Sequence, residues 1–316
     1  MSPAETAIGR LELEAHGLAD RLPDLVIEAS RVASTVAHGI HGRRRAGPGE
    51  TFWQFRQFEG ADAATLIDWR RSASSDQLYV REREWEAAHT VWLWPDLSPS
   101  MDFRSELAPV TKRDRAVVLM LAAAELLVRG GERVALLGLG RPTASRKAAT
   151  VIAETILTNI TSPLLTTSLP PKIRLPRFSG AILISDFLDP LDKLGPRLEE
   201  MAGAGVGGHL VQIMDPAEET LPYEGRAEFL GPEVASERWI VDRVETMRDA
   251  YLKKLAAHRD RLADIARRLG WSLLVHHTDR PPHELLLSLI LRLGGQAGSY
   301  LMSTPSSGAT AAGGHA

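Results

Sequence analysis

The sequence contains no cysteine among its 316 residues. This absence excludes disulfides, metal sites built from thiolates, and cysteine nucleophiles. It is also consistent with a reducing compartment. Apolar residues at 44% and charged residues at 24% are ordinary values for a globular protein. A chain of this length can therefore bury one large core or two small ones.

Long hydrophobic runs are missing as well. The longest apolar stretch, residues 116–128, is interrupted by Glu125 and is too short to span a bilayer. The first residues have neither a basic start nor an apolar segment, which argues against a secretory signal. The sequence therefore predicts a cytoplasmic protein without a membrane span.

Charge of one sign is scarce, because the formal net charge is only −3 at pH 7. Such a balance gives no global field that favours nucleic acid or an anionic membrane. The basic triplet at residues 43–45 is interpreted as a solvated loop, and no nucleic-acid partner is expected. The glycine-rich stretch 203–208 follows a predicted helix and precedes a predicted strand. A dinucleotide-binding motif needs the opposite order, so this stretch is interpreted as a helix end and loop.

An alternation of apolar runs and helical patterns is present from residue 91 onward. The apolar runs lie at 91–95, 133–139, 180–185, 209–214 and 271–275. The helical patterns lie at about 110–129, 144–159, 190–203, 244–268 and 281–293. Crossover units of this kind build a parallel sheet that is covered on both faces. The sequence therefore predicts an α/β fold with a mostly parallel sheet and helices on both faces.

Three further segments complete the predicted organisation. Residues 1–40 form an N-terminal helical segment, which Pro23 is expected to divide into two pieces. Residues 41–90 are expected to form a β-rich elaboration packed on the main domain, which covers residues 91–295. Residues 296–316 consist mainly of small and polar residues and are predicted to be a disordered tail.

Polar side chains follow two of the predicted strands. Ligands of parallel sheets bind at the carboxyl ends of strands, so acidic residues at two strand ends can converge. The candidate ligands are Asp96, Ser98 and Ser100 after the first strand, Asp186 after a later strand, and Thr143 in a loop. Their oxygens are hard ligands that suit Mg²⁺, with Mn²⁺ as the second candidate. The alternative is that Asp96 and Ser98 only cap the next helix.

The pattern Asp-x-Ser-x-Ser after a strand, with a second Asp after a later strand, resembles the metal-ion-dependent adhesion site of von Willebrand factor type A domains. The flanking sequence resembles the bacterial domain-of-unknown-function family 58 over roughly residues 40–295. The stretches that carry this resemblance are 47–52, 60–62, 67–70, 72–73, 78–81, 96–101 and 211–218. Ile-Asp-Trp-Arg at 67–70 together with Asp-x-Ser-x-Ser is more specific than either motif alone. Pro99 departs from the adhesion-site pattern, in which glycine is common.

This resemblance implies a von Willebrand A-like, Rossmann-like fold and a protein partner in place of a substrate. Members of the family are similar to proteins that accompany MoxR-type AAA+ ATPases and help to mature or assemble other proteins. We therefore expect a non-enzymatic interaction module. Its Mg²⁺ would accept a carboxylate from such an ATPase or from a client of the ATPase.

Asp68, Arg70 and Arg71 form a second candidate surface, because arginine and aromatic residues are enriched where partners bind. Trp69, which lies between them, is expected to be part of a core. Two alternatives to a metal-dependent module remain open. One is a metal-free scaffold that binds through residues 51–85. The other is a cryptic hydrolase in which the acidic strand ends and Mg²⁺ activate water, although the sequence shows no recognisable nucleophile motif.

Overall fold

The computed structural model describes residues 3–41, 53–58, 65, 67–73, 77–83, 89–231 and 238–300. The basic triplet at 43–45 and the predicted tail from residue 301 onward lie outside these ranges. The chain divides into two compact units. The larger unit is formed by residues 1–40 and 89–316, and the smaller unit by residues 41–88.

The chain begins with one long helix, α1 (Pro3–His41), which continues through Pro23. The prediction that Pro23 divides this segment into two pieces is therefore wrong. Proline inside a helix removes one backbone hydrogen bond and costs about 3 kcal/mol. Burial of Leu18, Leu22 and Ala29 on one face of α1 offsets that cost.

The described residues of the smaller unit include a two-stranded antiparallel sheet and a short α-helix. Strand β1 (Trp53–Gln57) pairs with β2 (Tyr79–Arg83), and α2 (Trp69–Ser72) lies between them in the chain. Ile67 forms an isolated antiparallel bridge to Val80, and both side chains are buried.

The larger unit resumes at residue 89 and alternates strands with helices. Its strands are β3 (Thr90–Pro95), β4 (Arg133–Leu136), β5 (Leu139–Thr143), β6 (Gly180–Ser185), β7 (Gly207–Met214), β8 (Ala227–Leu230), β9 (Arg238–Val241) and β10 (Ser272–His277). Its helices are α3 (Lys112–Arg129), α4 (Ala148–Thr158), α5 (Pro163–Thr166), α6 (Leu191–Gly203), α7 (Pro216–Thr220), α8 (Arg248–Arg268) and α9 (Pro282–Tyr300). None of the described helices is both long and apolar enough to cross a bilayer.

Six strands of the larger unit form the central sheet, in the order β10-β7-β6-β3-β4-β5. All neighbouring pairs are parallel except β4 and the edge strand β5. After β3, the chain adds β4 and β5 on one side of it. It then adds β6, β7 and β10 on the other side. The switch point of the sheet therefore lies between β3 and β6. This topology confirms the predicted fold class, a von Willebrand A-like α/β fold with a mostly parallel sheet.

Helices cover both faces of the sheet, as the near-continuous apolar strands require. On one face, α1, α3, α4 and α9 pack against alternate strand residues that include Leu93 and Ile184. On the other face, α6 and α8 pack against the intervening residues, which include Trp94 and Leu183. The period of two along each strand thus distributes its side chains between two cores.

The apolar run 133–139 is two strands and not one. Strand β4 ends at Leu136, and β5 begins at Leu139 and returns antiparallel. Gly138 lies in the turn between them with φ +80, a backbone conformation that favours glycine. The run therefore reverses direction, which the apolar pattern alone does not reveal.

Helix α9 extends to Tyr300, although residues 296–300 were predicted to belong to the disordered tail. It passes through Gly294 and Gly295, each of which costs a helix about 1 kcal/mol relative to alanine. This penalty did not stop the helix, so the predicted boundary of the tail at residue 296 is wrong.

The glycine-rich stretch 203–208 joins α6 to β7, which confirms that it is not a dinucleotide-binding motif. Gly205 lies in the connecting turn at φ +82. Gly208 belongs to β7, and a Cβ atom there would lie only 2.1 Å from the ring of Trp271. The indole Nε1 of Trp271 donates to the carbonyl of Val206 at 3.1 Å. The ring is therefore fixed over Gly208 and cannot move freely.

We expect Gly208→Ala to lower the free energy of unfolding by about 1–3 kcal/mol, because the added methyl group overpacks the Trp271 contact. Urea denaturation would measure this loss. Gly203→Ala is the matched control, since a Cβ at Gly203 meets nothing within 4 Å. Equal losses in both variants would contradict the assigned contact.

Candidate functional site

Asp96 lies directly beyond the last residue of β3, at the switch point of the sheet. Its N–H donates to the carbonyl of Ile184 at 2.8 Å, and its side chain is fully buried. The Oδ1 atom accepts the N–H of Ser98 at 2.9 Å, and Oδ2 accepts the hydroxyl of Ser185 at 2.7 Å. Both carboxylate oxygens thus accept hydrogen bonds from neutral donors of Ser98 and Ser185.

Ser98 and Ser100 follow on the same turn as Asp96. Ser98 precedes a 3-10 turn, Pro99–Asp102, and its side chain makes no capping hydrogen bond to that turn. Its hydroxyl oxygen lies 3.1 Å from that of Ser100. The Ser98 side chain therefore does not cap the next turn. Ser98 and Ser100 follow Asp96 by two and four residues in the sequence.

Asp186 lies beyond the end of β6, the strand next to β3. Its Oδ2 atom is 2.9 Å from Nζ of Lys112, and its Oδ1 accepts the N–H of Leu188 at 3.2 Å. The backbone carbonyl of Asp186 accepts Nε2 of Gln212 at 2.8 Å. The structure thus brings Asp186 to the same edge of the sheet as Asp96, as the sequence predicted.

Lys112 is a residue of the candidate site that sequence reasoning missed. It is the first residue of α3, and only 1% of its side chain is exposed. Its ammonium group pairs with Asp186 at 2.9 Å and with Glu218 at 2.6 Å. Burial alone would lower the pKa of Lys112, but the charges of Asp186 and Glu218 outweigh it and hold the pKa above its ordinary value. Lys112 is therefore a permanent cation inside the site.

The whole charged first turn of α3 is buried, not Lys112 alone. Arg113 donates to the carbonyl of Ser98 at 3.2 Å and pairs with Asp102 at 2.8 Å. Asp114 pairs with Arg21 of α1 at 2.6 Å. Such a run of charges usually indicates a solvated helix start, so nothing in the sequence marked it as part of the site.

Arg115 continues this network toward β10. Its guanidinium donates to the carbonyl of Thr278 at 3.2 Å and lies 3.8 Å from the carboxylate of Glu28. Beside it, burial and then the charges of Arg115 and His277 lower the pKa of His276 to about 3. His276 is therefore neutral at physiological pH.

Asp215 and Glu218 border the site next to the end of β7. They form a capping box at the start of α7, in which Asp215 accepts the N–H of Ala217 at 2.8 Å. Asp215 also accepts the hydroxyl of Ser105 at 2.5 Å, which ties the loop after the 3-10 turn to α7. The stretch 211–218 had been noted only for its family resemblance, and the structure gives it a place next to Lys112.

The electrostatic balance of the site leaves Asp96 uncompensated. Burial, and then the charge of Asp186, raise the pKa of Asp96 to about 7, although the bonds from Ser185 and Ser98 oppose this. Among the described residues, no lysine, arginine or histidine pairs with Asp96. An ionised Asp96 would be a buried negative charge with neutral hydrogen-bond donors and a second carboxylate, Asp186, nearby. A bound cation would stabilise such an environment.

The structure does not bring Thr143 to this edge. Thr143 pairs with Val134, which is near the start of β4, so it lies at the opposite end of the parallel strands from Asp96. Its hydroxyl accepts the N–H of Ser145 at 3.1 Å. The reason is the turn at Gly138, which makes β5 run back toward the amino ends of its neighbours.

The second candidate surface lies in the smaller unit. Asp68 caps α2 by accepting the N–H groups of Arg70 and Arg71 at 3.1 and 3.0 Å. The guanidinium of Arg71 lies 5.5 Å from the ring centre of Tyr79. The expectation that Trp69 is part of a core is wrong, because 64% of it is exposed. It occupies the first position of a four-residue helix whose buried side is formed by Ser72.

A complete metal cluster is not preassembled in the part of the chain that the structure describes, since no three His, Cys, Asp or Glu side chains come together there to hold a metal. The candidate ligands Asp96, Ser98, Ser100 and Asp186 would therefore depend on water or on an outside group to complete a coordination sphere.

The strand order, with acidic residues at both strand ends that flank the switch point, defines a von Willebrand A-like module. The chain belongs to the family described as "Protein of unknown function DUF58", whose sequence profile matches residues 54–261. Similar relatives are the uncharacterized proteins Rv1480 of Mycobacterium tuberculosis and Mb1516 of Mycobacterium bovis. Each is 29% identical over 285 residues, which cover 86% of this chain and 88% of the relative.

Two solved structures are also similar to the chain. They are the conserved hypothetical protein BatB from Bacteroides thetaiotaomicron, with a TM-score of 0.37, and an aerotolerance-related membrane protein from Bacteroides fragilis, with a TM-score of 0.39. Each is 13% identical and covers 66% of this chain and 100% of its own. At TM-scores this low, the fold assignment rests on the strand order of the chain itself.

Proposed function

We propose that this chain is a non-enzymatic, cytoplasmic protein-interaction module that binds a partner at the edge formed by Asp96 and Asp186. The observation that carries the proposal is the buried carboxylate of Asp96 at the switch point. It accepts hydrogen bonds from neutral donors and has no cationic partner among the described residues. Ligands of open α/β sheets bind at this place.

A divalent cation fits the donor set of this edge. Asp96 supplies charge, Ser98 and Ser100 supply neutral hard oxygens, and Asp186 is the second carboxylate of the set. Mg²⁺ is the preferred candidate, and Mn²⁺ is the second. When bound, the cation would supply a positive point that a partner carboxylate can bind. A partner without that carboxylate would leave the position to water, so the cation would add specificity.

The family resemblance supports a MoxR-type AAA+ ATPase, or a client of one, as the partner. Such an assembly would use this chain in protein maturation or assembly. An enzymatic function is less well supported, because the sequence shows no recognisable nucleophile motif.

We expect calorimetric titration of the purified protein with Mg²⁺ and Mn²⁺ at millimolar concentration to show binding that the double variant Asp96→Ala, Ser98→Ala abolishes. The variant should keep the fold, because it removes a buried charge together with its neutral neighbour. Circular dichroism would check this. Asp192→Ala is the control, since Asp192 is an exposed acid on α6. Equal heat in the wild type and the double variant would refute the cation site.

The same variants give a test of the partner. Binding to a purified MoxR-type ATPase should fall at least about tenfold in the double variant, because one coordinated carboxylate is lost. Chelation of the metal should have the same effect. Turnover of phosphoesters that disappears in Asp186→Ala would favour the hydrolase alternative.

The second candidate function is a metal-free scaffold that binds through the smaller unit. The exposed indole of Trp69, next to Arg70, favours it, since these residue types are enriched where partners bind. Partner binding that survives chelation and the double variant, but is lost in Trp69→Ala, would support this function over the first.

A further inference from the structure

Strand β10 is an edge of the central sheet among the described residues, and it pairs only with β7. The N–H of Thr278 donates to the carbonyl of Met214 at 3.0 Å, so the backbone groups of Thr278 face β7. In a parallel strand, the backbone groups of successive residues face opposite sides, so every second residue before Thr278 also faces β7. The N–H groups of Leu273, Val275 and His277 therefore point away from the sheet. Such a row of outward backbone groups is a template for a further strand.

An open groove of about 390 Å³ runs along this edge, between β10 and one face of α9. Val275 lies on the strand side of the groove, and Leu285 and Ser288 lie on the helix side. The groove thus combines a free strand edge with a partly apolar wall. This is the arrangement by which an extended peptide can add to a sheet and place alternate side chains against a helix.

The charges at the groove indicate the chemistry of its occupant. Arg280 precedes α9 at one end, where it also lies 3.7 Å from the exposed carboxylate of Asp279. Arg292 lies further along the helix toward the other end, and Glu284 is the acid among the described lining residues. Between Pro282 and Arg292, α9 rises roughly 15 Å. That distance equals about five residues of extended chain. An occupant with acidic residues near both ends would match the two guanidinium groups.

We propose that the groove beside β10 binds an extended acidic segment of a protein partner, which adds as a further strand of the sheet. Its backbone bonds to the outward N–H groups of Leu273, Val275 and His277. Its terminal carboxylates face Arg280 and Arg292. The binding needs no metal, so its test is independent of the cation proposed at Asp96.

The probe is a fluorescein-labelled peptide, Asp-Val-Thr-Val-Thr-Val-Asp, titrated into the full chain and followed by anisotropy. Hydrogen exchange should slow at the amides of Leu273, Val275 and His277 when the peptide binds. The double variant Arg280→Glu, Arg292→Glu should weaken binding about tenfold or more, and added salt should weaken wild-type binding. The control is the double variant Arg261→Glu, Arg268→Glu, at two exposed positions on α8.

The backbone contribution is tested separately. Val275→Pro removes an outward N–H and keeps the bonds to β7, and proline is tolerated at a sheet edge of this kind. It should abolish binding, whereas Val275→Thr should not. Should Val275→Pro fail to fold, a peptide methylated at alternate backbone nitrogens gives the same test on the wild-type protein.

Three results with the peptide would overturn the proposal. They are absence of peptide binding at millimolar concentration, binding that backbone methylation leaves unchanged, and binding without protection of the three amides. A concentration-dependent dimer that Val275→Pro dissociates would assign the groove to a second copy of the chain and would also overturn it.

Discussion

Replacement of Lys112 by methionine is expected to lower the free energy of unfolding by about 3–5 kcal/mol, the loss typical when one partner of a buried ion pair is removed. The ammonium group is buried between Asp186 and Glu218, at 2.9 and 2.6 Å. Methionine fills a similar volume, so the loss would report the uncompensated carboxylates and not a cavity. Urea denaturation at pH 7.5 measures it.

A double-mutant cycle separates this effect from packing. Glu218→Gln in the Lys112→Met background should restore part of the lost stability, because one of the two stranded charges is neutralised. Lys193→Met, at an exposed position of α6, is the matched control and should change stability by less than about 0.5 kcal/mol. A loss below about 1 kcal/mol for Lys112→Met would mean that desolvation of the ammonium cancels its two ion pairs.

Acidification from pH 7 to pH 5 is expected to cost about 2 kcal/mol of stability through His276 alone. The pKa of His276 is lowered to about 3 in the folded chain by burial and by the charges of Arg115 and His277. Its ordinary pKa is about 6.5, so below that pH the unfolded chain binds the proton first. The unfolded state then binds more protons than the folded state, and stability falls as the pH decreases from 6.5 toward 3.

The measurement is the free energy of unfolding at pH 7, 6 and 5 for the wild type and for His276→Gln. The variant should lose about 2 kcal/mol less between pH 7 and pH 5 than the wild type. His283→Gln is the control, because His283 is an exposed histidine in the first turn of α9. An unchanged pH dependence in His276→Gln would show that His276 titrates normally in the folded chain.

Sequence reasoning was most successful where one physical pattern dominates. The buried runs at β3, β6 and β7 are strongly apolar because helices cover both faces of the sheet, and this pattern predicted the fold class. The convergence of Asp96 and Asp186 followed from the rule on the carboxyl ends of parallel strands. That rule needs only the direction of the strands and not their distances.

The remainder of the site depends on distances that a linear pattern does not contain. The charges of residues 112–115 are typical of a solvated helix start, and only the packing of α3 against the strand ends shows that Lys112 reaches Asp186. Thr143 was misplaced because a single glycine, Gly138, reverses an apolar run. Trp69 is exposed because α2 has only four residues, and the buried one among them is Ser72.

The smaller unit is inserted in the chain between α1 and β3 of the larger unit. Helix α1 packs in the same core as α3 and α9, although residues 41–88 separate it from β3. These residues are thus an insertion that closes a loop, and each doubling of such a loop costs only ~0.6 kcal/mol of closure entropy. A longer inserted segment would therefore cost the chain little additional closure entropy. Removal of α1, in contrast, would expose Asp114 to solvent. It would also expose the apolar core residues against which Leu18 and Leu22 of α1 pack.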